Sequence, residues 1–214
     1  MKAAGLTGLA ALAAMAACAP KPLPPPVVDM AAMPCANAMV MGGAVPLLFD
    51  PKGKDEKITT AIPDHRSGCI QDAEGRRLYQ VFALPDTNTP YILSVRTSPW
   101  ADTILTPRAL LLGGDGSVMR STSHADFVFR GEQLSALLRS HPGEAYLVVT
   151  SDGEVLGKEV TRVIESVQVT AAPMPYGGAF IWHSGNDATH RMVLSVAGQV
   201  EVTVTPFPAG AGKQ

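Results

Sequence analysis

From Val45 onward the chain alternates short apolar, β-branched runs with turn residues, a pattern that predicts strands rather than long helices. The runs are Val45 to Phe49, Lys57 to Ile62, Leu78 to Leu84, Tyr91 to Arg96, Ala109 to Leu112, Ala125 to Arg130 and Ala145 to Thr150. In Tyr91-Ile92-Leu93-Ser94-Val95-Arg96 the odd positions face a core and Ser94 and Arg96 face water, the mark of a half-buried strand. Glu132 to Ser140 reads differently. It places Leu134, Leu137 and Leu138 at helical spacing before Pro142-Gly143, and predicts one short helix. Near the end, Met192, Leu194 and Val196 alternate, Ala197-Gly198 turns, and Val200, Val202 and Val204 alternate again, which predicts a terminal hairpin. Ala171 to Gly178, rich in Pro and Gly, reads as a crossover loop before Phe180, and Asp152-Gly153 as a turn. These elements add up to a mainly β domain over 45–207, an antiparallel β-sandwich or jelly-roll with one short helix, followed by a flexible tail over 208–214.

The first residues follow another pattern. Lys2 is a minimal positive n-region and Ala3 to Ala17 an apolar run ending in small residues, the layout of a secretory signal peptide over 1–17. A membrane-spanning helix needs about 20 apolar residues, so the run is short for that role. Leu12-Ala13-Ala14-Met15-Ala16-Ala17-Cys18 resembles a bacterial lipobox, with Met15 where the pattern usually has Leu. The resemblance implies lipidation of Cys18. The alternative is plain secretion, with cleavage near an Ala-x-Ala site. Ala19 follows the cysteine where Asp would resemble an inner-membrane retention signal, so the expected location is the outer membrane, lipid-anchored and facing the periplasm. Residues 18–44 read as a lipidated tether; Ala19 to Pro26 favours extended polyproline II and would lift the body roughly 25 Å from the bilayer. Met30 to Met41 suits a short helix, interrupted by Pro34 and ended by Gly42 and Gly43.

With Cys18 lipidated, Cys35 and Cys69 remain in an exported chain, and a disulfide between them is expected. No Cys-x-x-Cys spacing suggests a redox pair instead.

Composition narrows the partners. Across 214 residues, 17 basic groups face 19 acidic ones, so no polyelectrolyte signature points to nucleic acid. Charged residues make up 17% of the chain against 20 Gly and 18 Pro, which again favours strands and turns.

Tyr79-x-x-Phe82-Ala83-Leu84-Pro85, the Leu93-x-Val95 strand, Thr106-Pro107 before Leu110-Leu111-Leu112, and Tyr146-Leu147-Val148-Val149 followed by Thr150-Ser151 together resemble the periplasmic maltose-operon protein family. The likeness covers Ile58 to Val204. It implies an exported β-rich protein associated with carbohydrate-uptake operons, with no catalytic residue to carry over.

The search for chemistry yields little. There is no Gly-x-Ser-x-Gly elbow and no His-Glu-x-x-His. Gly113-Gly114-Asp115-Gly116 lacks the Lys-Ser/Thr of a phosphate loop and reads as a hairpin turn. His183 and His190 flank Ser184-Gly185-Asn186-Asp187 at a spacing that matches no common zinc site, so neither a metal nor a cofactor is expected. Trp100 and Trp182, with Tyr176 and the carboxylate of Asp102, form the candidate ligand set, since indole faces stack on sugar rings; Phe180-Ile181-Trp182 also suits a core strand. The expected function is a non-catalytic envelope lipoprotein, a binding or accessory module in carbohydrate (maltodextrin) uptake. Its partners would be the membrane, through the lipid, and a glycan or envelope protein. The alternative is a structural assembly factor for an outer-membrane or secretion complex. An enzyme using Ser and His from distant loops ranks third.

Overall fold

The structure is a computed structural model and describes residues 27–50, 56–174 and 177–207. The leader over 1–17, Cys18, the proline run to Pro26, Tyr176 and the tail over 208–214 lie outside the described residues.

In chain order the strands are β1 (Val45–Pro46), β2 (Glu56–Ile62), β3 (Gly68–Asp72), β4 (Gly75–Ala83), β5 (Tyr91–Ser98), β6 (Thr103–Leu105), β7 (Pro107–Gly113), β8 (Val118–Ser121), β9 (Val128–Arg130), β10 (Gln133–Arg139), β11 (Glu144–Ser151), β12 (Glu159–Pro173), β13 (Ala179–Ser195) and β14 (Gly198–Pro206). The helical residues described form two single 3-10 turns, His124–Asp126 and Gly153–Val155. The first sheet runs β1-β4-β11-β7-β8, with β3 also on β4; the second runs β2-β14-β5-β10-β9; a third joins β12, β13 and β6. The inner faces of the first two sheets meet in one apolar cluster. Leu78, Phe82, Leu111, Leu147 and Val149 come from one side, and Leu93, Val95, Leu134, Val200 and Val202 from the other. The expected mainly β sandwich is therefore the observed architecture.

Five local readings change. Gln133–Arg139 is the strand β10, not a helix: Leu134, Ala136 and Leu138 alternate onto the core while Leu137 is 50% exposed. The spacing of Leu134, Leu137 and Leu138 is helical, and only Leu134 and Leu138 fit a strand face; pairing with β5 and β9 decides it because it satisfies the backbone of both neighbours. Of Ala125 to Arg130 only β9 is strand, since Asp126 accepts from the Ser123 N–H at 2.7 Å and closes a 3-10 turn before it. Val45 to Phe49 shortens to β1, which pairs parallel with β4. Ala171 to Gly178 is not a crossover: β12 and β13 pair continuously from Glu159↔Val193 to Pro173↔Ala179, and this segment is the end of that ribbon. The terminal strands do not pair with each other either. β13 pairs with β12 and β6, and β14 is inserted between β2 and β5. A Cβ at Gly198 would sit 2.8 Å from Leu105 Cβ, so only glycine lets the chain cross there from one sheet to the other.

The first sheet is buried on both faces. Its outer side carries a second apolar cluster of Ile70, Tyr79, Val81, Leu110, Leu112 and Val148, covered by Met39, Met41 and Ala44. Residues 28–44 form this cover as an irregular strap, and the expected helix over Met30 to Met41 is absent, as Pro34 and the paired glycines dictate. The strap is stitched to the sheet edge. Cys35 and Cys69 are joined by a disulfide; the Ala36 N–H donates to Cys69 O at 3.0 Å and the Gln71 N–H to Ala36 O at 2.8 Å. Farther on, the Val40 N–H donates to Tyr79 Oη at 2.8 Å. The Tyr79 ring lies where a Gly68 side chain would be, 2.2 Å from an ideal Cβ, so Gly68 makes room for the phenol that holds the strap.

Two outcomes test this architecture. Cys35→Ser should lower stability measured by urea unfolding by up to about 3.8 kcal/mol, the chain-entropy value for a loop of sequence separation 34. An unchanged midpoint would show that the strap holds without the bond. Leu134→Ala should cost about 2 to 5 kcal/mol and Leu137→Ala under about 1 kcal/mol, because strand phase buries only the first; equal costs would favour a helix.

Candidate functional site

The strap covers only part of the outer face. Between it and β8 lies an open cleft of about 630 Å³. Ile70, Leu110, Leu112 and Tyr146 line it from the sheet, and Ala38, Met39 and Met41 from the strap. One end is closed by Asp72, Glu74, Arg77 and Arg108, and the other by the Gly113–Gly116 turn and Asp115. The turn is the one the sequence predicts: the Gly113 N–H donates to Ser117 O at 2.9 Å, and Gly116 takes φ +80°.

Arg77 is the unusual member of the cleft. It follows the same strand phase as Tyr79 and Val81, and so occupies the outer face with 5% exposure. Its guanidinium pairs with Asp72 and, at 2.9 Å, with Glu74, while Arg108 reaches the same Glu74 oxygen at 2.6 Å. Arg77 Nε is buried without a hydrogen-bond partner among the described residues. At the far end the Ser117 hydroxyl and backbone N–H donate to the Asp115 carboxylate and hold it below its usual range. The cleft is thus an apolar trough with an ion-paired end and an acidic end.

A second hollow of about 510 Å³ lies under the Leu84–Tyr91 and Ser140–Ala145 loops. Glu144 beside it accepts from Arg120 Nε at 2.6 Å and from the His141 N–H at 2.9 Å. Burial first, and the Glu144 charge second, push the Tyr91 hydroxyl up to about 12. Ser140 Oγ accepts from the Tyr91 N–H at 2.9 Å, so this side chain and Glu144 hold the loops together.

The sequence-predicted ligand residues do not gather. Trp100 is half-buried in a tight turn whose N–H donates to Thr103 O at 2.7 Å, with Ala101 at φ +54°, and Asp102 is exposed beside it. Val193 pairs with Thr103, and Trp182 lies on the same strand about 36 Å farther out at 3.3 Å per residue. Tyr176 lies outside the described residues. Cys35 and Cys69 form the expected bond. Among the described residues no group of three His, Cys, Asp or Glu is placed to hold a metal ion, and no helix is long and apolar enough to cross a membrane.

The cleft residues had a faint signal in the sequence. Val81 to Leu84, Leu110 to Leu112 and Leu147 to Val149 are continuous apolar runs rather than alternating ones, the pattern of strands covered on both sides. An arginine in phase with such a run marks a charge that must be buried or face a cleft.

The fold and site define a class: a disulfide-pinned β-sandwich with a strap-walled cleft on one outer face and a long β-ribbon. Comparison with known protein families, curated proteins and solved structures finds no match to this chain.

Beside β8, one group carries a pH dependence. The His124 backbone N–H donates to Asp152 Oδ2 at 3.0 Å, and His124 Nδ1 is buried without a hydrogen-bond partner among the described residues. Burial lowers the ring's pKa against the opposing pull of Asp152, and Lys158 lowers it further. The folded state therefore favours neutral imidazole, so stability falls as pH drops below the ordinary value of about 6.5 and levels off below the depressed folded pKa. His124→Gln should flatten that limb of the stability–pH curve. A His124 ring proton titrating at or above about 6.5 by NMR would contradict the depressed pKa.

Proposed function

We propose that the chain is a non-catalytic envelope lipoprotein, held by lipid on Cys18, that binds an extended polyhydroxylated ligand of the maltodextrin kind in the strap-walled cleft. The observation that carries this reading is the cleft itself, an apolar trough closed at one end by the ion-paired cluster of Asp72, Glu74, Arg77 and Arg108. Paired carboxylates and guanidinium groups suit vicinal hydroxyls, and Tyr146 and the leucines suit the C–H face of a sugar ring. The lipobox-like segment before Cys18 supports the location. A second reading, an assembly factor, draws support from β12, whose outer edge has no neighbouring strand among the described residues and suits addition of a partner strand.

Calorimetric titration with maltoheptaose should show saturable binding, weakened about tenfold or more in Arg108→Met, by loss of a charge-assisted hydrogen bond from the more exposed guanidinium of the cleft end. Trp100→Ala should bind as wild type does. Absence of binding by the wild-type chain would remove the glycan reading, and absence of fatty-acid label on Cys18 in cells would remove the anchor.

A further inference from the structure

Among the described residues, no side chain of the outer half of the β12–β13 ribbon belongs to the sandwich core. Its base is seated: Arg162 lies over the Phe129 ring at 4.4 Å and donates to Gly131 O at 3.0 Å, and β6 pairs with residues 193–195. From Val193 to Ala179 the ribbon extends for about 45 Å at 3.3 Å per residue. Its outer part exposes Val169 (58%), Met174 (47%), Phe180 (57%) and Ile181 (56%). No Asp, Glu, Lys or Arg occurs from Ser166 to Asn186, and the first charged positions below that stretch, Glu165 and Asp187, are register partners.

We infer that the outer half of this ribbon docks into the interfacial layer of a lipid bilayer, as a second membrane contact beside the N-terminal attachment; the inference rests on the envelope reading above. Phe180 and Ile181 are neighbours in one strand and therefore project to opposite faces. Apolar side chains exposed on both faces at these positions suit a medium that surrounds the ribbon better than a flat protein surface that covers one side. Aromatic residues and uncharged polar ones are the composition of the membrane interface. Depth is limited by the backbone: a two-stranded ribbon leaves edge N–H and C=O groups that hydrocarbon does not tolerate, so the tip stops at the headgroup and acyl boundary.

The strap and the base of the ribbon meet at one end of the body. Arg76 bonds the carbonyls of Met30 and Ala31, and the Glu74 carbonyl beside it lies 3.9 Å from where a Gly153 side chain would begin. Gly153–Val155 leads directly into β12. The strap thus enters at the end of the body from which the ribbon leaves, and the proline run and Cys18 precede it in the chain.

The test uses the full chain carrying Cys18→Ser and Ile181→Cys, so that the probe thiol is the one cysteine outside the disulfide, labelled with a polarity-sensitive fluorophore. Vesicles of phosphatidylethanolamine and phosphatidylglycerol should shift its emission to the blue, and headgroup-region spin-labelled lipids should quench it. The same probe at Val118→Cys on the body should not respond. Phe180→Asp with Ile181→Asp should weaken vesicle partitioning about tenfold or more. A probe at 181 indifferent to vesicles overturns the inference, as does a shift that grows with protein concentration in the absence of lipid, which marks a second copy as the occupant. So does a shift produced only by envelope proteins. Loss of fatty-acid labelling with tip insertion intact would overturn the Cys18 anchor and leave the ribbon contact standing.

Discussion

A β-sheet apolar on both faces has to be covered twice, and the first sheet of this protein is such a sheet. Phe82, Leu111 and Leu147 point to the sandwich interior, while Tyr79, Val81, Leu110 and Val148 point the other way. The second sheet covers the first set. The second set has no sheet of its own, and the strap over residues 28–44 supplies the cover with Met39, Met41 and Ala44. Methionine suits this task because its flexible thioether fills irregular gaps where no regular element fixes the backbone. The disulfide at Cys35 and the Tyr79 bond to the Val40 N–H set the strap's position, and they thereby set one wall of the cleft. Cover, cross-link and candidate site follow from one surplus of apolar surface.

Much of the sandwich is written in short-range pattern. The strands at Lys57 to Ile62, Leu78 to Leu84, Tyr91 to Arg96, Ala109 to Leu112 and Ala145 to Thr150 are all found, because β-branched residues between turn signals leave few other conformations. Pairing was less legible. Met192 to Val204 does form two strands with a turn at Ala197, yet β14 is taken up by β2 and β5, and alternation names a face without naming a neighbour. Leu134, Leu137 and Leu138 misled because their spacing is helical, whereas pairing with β5 and β9 sets a strand phase that keeps Leu134 and Leu138 on the core and turns Leu137 outward. The cleft was invisible residue by residue. Asp72 and Arg77 are neighbours through the β3–β4 hairpin, but Arg108 arrives from another strand and Met39 from the strap, so their meeting is a product of topology alone. Trp100 and Trp182 drew notice by residue type, and the long ribbon that separates them has no local signature beyond a Pro- and Gly-rich bend.

The two candidate contact devices differ in how they treat charge. In the cleft, Arg77 is brought into an apolar surface and neutralised by Asp72 and Glu74, so that directional polar groups stand at the end of a greasy trough. On the ribbon, charge is kept below the tip, at Glu165 and Asp187. One arrangement selects by hydrogen-bond geometry and the other by solvent, and they sit on a common scaffold without sharing a residue.

The place of β14 has a consequence for how the molecule is made. The strand over Gly198–Pro206 lies inside the second sheet, hydrogen-bonded on one side to residues 56–62 and on the other to residues 91–98. Val200, Val202 and Val204 from it are among the most deeply buried side chains of the core. A chain emerging N-terminus first from a ribosome or a translocation pore cannot close this sheet until residue 206 is out. Until then the second sheet stays open between residues 56–62 and 91–98, whereas the first sheet has all of its strands by Ser151, so the two halves of the sandwich become closable at very different chain lengths.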